Sequence, residues 1–434
     1  MDKMADVLGR AGAWCGQNKY LSAIKNAFQN FMPLTIAGAI GVLWCNVLVN
    51  DQTGLGLFFK PIMALDFLNP AFQAVNFCTI SCITVGITLG IAQEIGVWNM
   101  GAEKAGYIPG LVGLAAWLSV TNTSHMVEGA KEAFTGIAGN ELGATGLFTG
   151  MIIGVLSVEL FCFFEKQDAL KIKMPEQVPP GVARAFEVLV PATITLIITA
   201  CIGSACYNLT GLYLNDVIKN GIQGPLGAVG ATIPGVMIIY LVIMLFWLVG
   251  IHGNNMLSAV KEALFTPLAL ENVEKFNKGE KPTNIINMYA LQMWGEFGGS
   301  GVTIGLVIAI MIFGKREDNK AIATLSLVPG LFNINETVTF GIPMVLNPIL
   351  GIPFVFACLV TSLVGYVLTV IGFCPVACLT VPWTTPPIVF GFLACGANVM
   401  GAVTQAILIV VSTVIYTPFL ISYEKYQNKQ AAEA

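Results

Sequence analysis

Long uninterrupted apolar runs constrain this chain more than any other feature. The stretch from Val229 to Val249 contains no charged residue, and Phe186 to Tyr207 contains only Glu187. A hydrocarbon core of about 30 Å takes about 20 apolar residues per helix, so such runs are long enough to cross a bilayer. They are continuous and do not alternate with polar residues, which predicts helices and not barrel strands, because a lone helix satisfies its own backbone in lipid. Charged residues make up 11% of the 434, against roughly 25% in soluble domains. The expected fold is an all-α polytopic membrane protein with about eight to ten transmembrane helices plus re-entrant hairpins.

Charges between the runs set an expected topology. Lys3, Arg10 and Lys19 precede a first span at about 20–49, and Asp51 and Asp66 follow it. By the positive-inside rule the N-terminus is cytoplasmic, and residues 1–20 read as an amphipathic segment lying on the membrane. Further spans are expected at about 71–92, 105–120 and 142–164, the last with Gly146, Gly150 and Gly154 as a helix-packing face. A cytoplasmic linker with Lys166, Lys171, Lys173 and Arg184 leads to spans at about 186–207 and 229–249. Trp14, Trp44, Trp98 and Trp117 are expected to anchor at the membrane interface. The predicted organisation is an N-terminal scaffold and dimerisation half (1–210), an interfacial connector (211–228) and a C-terminal substrate-binding half (229–434).

Past residue 250 the pattern changes. The pieces 256–270 and 285–296 are short or polar, and basic residues on either side (Lys275, Lys278 and Lys281, then Lys315, Arg316 and Lys320) favour the cytoplasm. Re-entrant hairpins reconcile these facts, and 321–332 reads as another. Spans at about 346–371 and 402–421 then bring the C-terminus to the cytoplasm.

Four polar breaks fall in this half, each mixing hydrogen-bonding side chains with Gly or Pro. WLVGIHGNN carries Trp247, His252, Asn254 and Asn255, and GEFGGSGVT carries Glu296, Gly299 and Ser300. NINET carries Asn333, Asn335 and Glu336, and VPWTTPP carries Trp383 and Thr384. Broken helices are where transporters place their sites, and an intramembrane carboxylate is costly enough to signal function. Carbohydrate suits such a cavity, because its hydroxyls need paired donors and acceptors while its C–H faces stack on rings such as Trp247 and Trp383. His252 and Glu336 are the leading pair for contacting and deprotonating a sugar hydroxyl. Also open to the sequence is a structural role, with His252 satisfying a helix break and Glu336 capping a half-helix. Glu296 stands evenly between ligand contact and structural cap.

No basic patch points to nucleic acid. No G-x4-G-K-[ST] loop is present, so nucleotide hydrolysis is not expected. The cysteines lie singly or as C-x3-C, so no metal or other cofactor is expected.

The chain resembles the IIC membrane component of the bacterial phosphoenolpyruvate-dependent sugar phosphotransferase system, in its lactose, cellobiose and diacetylchitobiose branch. The resemblance is carried by KMPEQVPPGVARAF, WLVGIHGNN, GGSGVTIGL, VPGLFNINETVTFGIPMVLNPILGIPF and PWTTPPIVFGF, in that order along the chain. It implies a homodimer in the bacterial cytoplasmic membrane, contacting through its first half and carrying one disaccharide per protomer in its second. It implies elevator-like alternating access, with His252 and Glu336 contacting the hydroxyl to be phosphorylated. The phosphoryl donor would be a cysteine of a separate cytoplasmic IIB component served by IIA, because no IIB-like domain follows Lys425. An ion-coupled secondary transporter releasing unmodified sugar is the alternative that broken helices alone allow.

Overall fold

The computed structural model describes residues 10, 13–14, 17–51, 55–125, 134–175, 177–225 and 230–433. Most of the expected interfacial segment at 1–20 and the end of the 211–228 connector lie outside the described residues. Among the described residues, six helices are long and apolar enough to cross a membrane: Lys19–Leu48, Lys60–Met100, Ala144–Glu165, Pro180–Thr210, Gly351–Val370 and Val399–Glu433. Three shorter apolar helices accompany them, at Ile108–Val120, Ile233–Leu248 and Ile304–Phe313. The chain is thus the helical, multi-pass membrane protein that its apolar runs require.

Contacts divide the chain into two compact units, one built from Ala74–Gly227 with Gln17–Gly38, the other from Ala228–Ala434 with Ala39–Gln73. In the first lie most of α1 (Lys19–Leu43), the end of α2 (Asn69–Cys78), α3 (Ile83–Met100), α4 (Ile108–Val120), α5 (Ala144–Glu165) and α6 (Pro180–Thr210). The expected span at 71–92 is interrupted: α2 ends at Cys78 and α3 begins at Ile83, with a tight 3-10 turn between them.

The glycine spacing on α5 does what its sequence implies. A Cβ at Gly150 would collide with the Thr88 hydroxyl of α3, and one at Gly154 would lie 3.1 Å from the Thr88 carbonyl. Trp117 departs from its expected interfacial place. It is 1% exposed and clusters with Ala116, Val120 and Ile153, because α4 is covered by α5 and α6. At the end of α5, Glu165 is buried between Lys104 at 2.8 Å and Arg184 at 3.1 Å, which supplies the partners a buried carboxylate needs.

The second unit holds α7 (Ile233–Leu248), α8 (Gly253–Asn277), α9 (Met288–Gly295), α10 (Ile304–Phe313), α11 (Glu317–Leu331), α12 (Glu336–Gly341), α13 (Gly351–Val370), α14 (Val389–Ala394) and α15 (Val399–Glu433). Helices α8 and α10 differ from expectation. α8 runs for 25 residues, well beyond 256–270. Its polar residues lower its hydropathy yet find partners inside the unit: Asn272 accepts the Thr283 and Asn284 amides and donates to the Asn284 and Ala377 carbonyls. α10 is a separate apolar helix that the GGSGVTIGL motif conceals, since the motif straddles its start. α9 packs on α13, α10 packs on α15 and on α11, and α11 and the short α12 contact each other.

Gly150→Leu should destabilise the protein by about 1–3 kcal/mol through overpacking against Thr88, whereas Gly181→Ala, which meets nothing within 4 Å, should not. Thermal unfolding of the two purified variants in detergent checks this.

Candidate functional site

Both members of the leading pair stand at helix starts. α7 ends at Leu248, and Gly250, at φ +80°, turns the chain so that His252 becomes the N-cap of α8. The His252 Nδ1 accepts the Asn255 amide at 3.2 Å, which satisfies one of the free N–H groups of a helix start. A backbone N–H on Nδ1 demands a lone pair there, so the neutral imidazole carries its proton on Nε2. That nitrogen faces the Glu336 Oε1 at 3.8 Å. Glu336 is the first residue of α12, and the two side chains are 38% and 46% exposed, open enough for a ligand to reach.

Trp247 occupies a different place from the one its sequence position suggests. It is 1% exposed, and its ring lies 4.5 Å from that of His252 and 6.4 Å from those of Phe340 and Phe354. It therefore supports the imidazole from behind. Trp383, by contrast, is 45% exposed, with Thr384 half-buried beside it.

The remaining polar residues knit the breaks together. The tip between α9 and α10 has Gly298, Gly299 and Gly301 at positive φ, as does Val302 at +50°. A β-branched residue there costs on the order of 1–3 kcal/mol and persists only when its surroundings over-determine it. Here Ser412 donates to the Val302 carbonyl at 2.8 Å, and Tyr416 to the Gly301 carbonyl at 2.8 Å. The amides of Gly298, Gly299 and Val302 are engaged within the protein. Asn333, at φ +63°, accepts the Gly298 amide at 2.6 Å and donates to the carbonyls of Trp383 and Thr385. Asn335 donates to the Ser300 carbonyl at 2.8 Å, and a Cβ at Gly299 would meet its side chain at 2.5 Å. Asn254 donates to the Ser300 hydroxyl at 3.0 Å, while the Asn255 side chain is exposed.

His252, Asn254, Gly299, Ser300, Asn333, Asn335, Glu336 and Trp383 are thus drawn together by one set of contacts. Within it, Ser300, Asn333 and Asn335 hold the frame, whereas His252, Glu336 and Trp383 keep open faces. Glu296 pairs with Lys261 and lies 3.5 Å from the Tyr240 hydroxyl. Sequence reasoning passed over Lys261 and Gln405. Lys261 left a signal, since no other Lys or Arg lies between 229 and 270. Gln405, which accepts the Ile388 and Gly391 amides at 2.7 Å each, left none, because one Gln in an apolar helix has many uses.

Residues 25–358 match the family model described as Phosphotransferase system, EIIC. The PTS system oligo-beta-mannoside-specific EIIC component of Bacillus subtilis (strain 168) is 33% identical over 429 residues, covering 98% of this chain and 94% of that protein. The PTS system cellobiose-specific EIIC component of Lactococcus lactis subsp. lactis (strain IL1403) is 28% identical, covering 98% of each. Among solved structures, the transporter ChbC, the IIC component from the N,N'-diacetylchitobiose-specific phosphotransferase system, superposes with a TM-score of 0.88 at 29% identity, covering 97% of both chains. The chain belongs to the EIIC family of phosphotransferase-system sugar permeases, multi-pass proteins of the cytoplasmic membrane.

Asn335→Ala leaves the Ser300 carbonyl without its buried donor and should cost about 1–3 kcal/mol. Thermal unfolding in the absence of sugar measures this, and a melting point equal to wild type would contradict the assignment of Asn335 to the frame.

Proposed function

We propose that this permease binds a disaccharide of the cellobiose or diacetylchitobiose type and carries it inward by elevator-like alternating access, coupled to 6-phosphorylation by a separate IIB subunit. In this reading the protein is a homodimer with both termini cytoplasmic, and IIA recharges IIB. The N-terminal half supplies the scaffold and dimer contact, and the C-terminal half carries the sugar. The observation that carries the proposal is the half-exposed His252–Glu336 pair at 3.8 Å, next to a tip whose Gly298, Gly299 and Val302 amides are engaged, with Trp383 45% exposed. The substrates for which the oligo-β-mannoside, cellobiose and diacetylchitobiose relatives are named support a β-linked disaccharide or short oligosaccharide.

The imidazole tautomer divides the work. A sugar hydroxyl oxygen placed about 2.8 Å from both side chains accepts from His252 Nε2–H and donates its own proton to the Glu336 carboxylate. His252 then orients, with Trp247 and the Asn255 amide fixing its ring, and Glu336 takes the proton. Attack of that oxygen on the IIB phosphocysteine forms the O–P bond and breaks the S–P bond, and the displaced thiolate stays on IIB. Trp383 provides an apolar face for the C–H side of a pyranose.

Glu336→Gln keeps an acceptor oxygen for the hydroxyl but no longer takes its proton. It should hold sugar affinity within about tenfold while lowering phosphorylation by about 10²–10⁴. His252→Ala should weaken binding itself by about tenfold or more. Isothermal titration with cellobiose and with diacetylchitobiose, together with phosphosugar formation by phosphorylated IIB, separates the two effects. Wild-type phosphorylation by a folded Glu336→Gln protein would refute the proton-acceptor role. Accumulation of unmodified sugar in vesicles lacking IIB, driven by an ion gradient, would refute group translocation.

A further inference from the structure

Lys261 is 5% exposed, and its ammonium serves two acceptors. It pairs with Glu296 Oε1 and donates to Asn254 Oδ1 at 3.3 Å. A buried charge needs a partner, and Glu296 accounts for that alone. The contact with Asn254 has a further effect. A carboxamide presents an acceptor on one side and a donor on the other, and half a turn exchanges them. An ammonium can only donate, so it holds Oδ1 towards itself and leaves Nδ2 to reach the Ser300 hydroxyl at 3.0 Å. The carbonyl of the same Ser300 accepts from Asn335 at 2.8 Å. Asn254 stands two residues after His252, and Asn335 immediately precedes Glu336. The series Glu296, Lys261, Asn254, Ser300, Asn335 therefore ties the start of α8 to the start of α12, the two points from which His252 and Glu336 meet.

We propose that Lys261 is a positioning residue for sugar phosphorylation, acting through Asn254 to hold His252 and Glu336 within reach of one hydroxyl, with Glu296 neutralising its charge. The proposal rests on the site reading given above. If the ion pair merely fastened α8 to α9, its removal would lower stability without regard to Asn254.

The test uses the full-length protein, phosphorylated IIB and whichever of cellobiose and diacetylchitobiose binds the wild type. Two neutral pairs are compared: Lys261→Met with Glu296→Gln, which removes the donor, and Lys261→Gln with Glu296→Gln, which keeps an N–H for Asn254. The first should lower kcat/KM for phosphorylation about tenfold, and the second should recover most of the loss. In an Asn254→Ala background the first pair should change kcat/KM less than about twofold, because the residue it acts through is already gone. Should the Met variant fail to fold, Asn254→Ala alone answers the same question, since it neither accepts from Lys261 nor bonds to the Ser300 hydroxyl; an about tenfold loss is again expected. Equal losses with and without Asn254, or wild-type kcat/KM in the Met pair or in Asn254→Ala, would overturn the inference. Wild-type phosphorylation in Glu336→Gln, measured alongside, would instead overturn the site reading on which it rests.

Discussion

A helix that stops in apolar surroundings leaves N–H and C=O groups that no water reaches, and each costs several kcal/mol unless a partner is found. The second unit meets this constraint with side-chain amides placed on other elements. Asn333 closes the α9–α10 tip and the Trp383 loop together, Gln405 closes the start of α14, and Asn272 with Asn287 holds the Ala377 carbonyl. The breaks are therefore mutually dependent. Removing Asn333 frees backbone groups at two places, so the α9–α10 tip and the Trp383 loop depend on one side chain.

The site is a by-product of such contacts. His252 faces Glu336 because its other ring nitrogen caps α8 and its face rests on Trp247. The structural and functional readings of His252 are thus one arrangement: the cap fixes the tautomer, and the tautomer directs an N–H at the carboxylate. Glu336 likewise begins α12 and still keeps its carboxylate open. Under the proposed function, preorganisation of this kind lowers the cost of ordering polar groups when the sugar binds.

Much of this was legible in the sequence. The apolar runs gave the helical membrane fold, and carboxylate and amides among prolines marked residues 333–336, where Asn333 and Asn335 join the breaks and Glu336 faces His252. The glycines of α5 marked a packing face that Thr88 occupies. What stayed hidden depends on partners distant in the chain. α8 read as too polar to be long because its Asn272 and Lys261 look unpaired until Ala377 and Glu296 are brought to them. Trp117 and Trp247 read as interfacial and ligand-stacking, yet both are buried, since a tryptophan's environment is set by what covers it and not by its neighbours in sequence. The grouping of Ala39–Gln73 with the C-terminal unit left no compositional trace.

In the proposed mechanism one sugar hydroxyl lies between His252 Nε2 and Glu336. The most direct measurement is calorimetric affinity for the preferred disaccharide and for its analogue lacking the 6-hydroxyl of the sugar to be phosphorylated, in wild type and in Glu336→Ala. Wild type is expected to bind the deoxy analogue at least about tenfold more weakly, and Glu336→Ala to discriminate less between the two sugars, its remaining preference coming from His252. The same discrimination in both proteins would contradict the account, because the hydroxyl would then be held elsewhere.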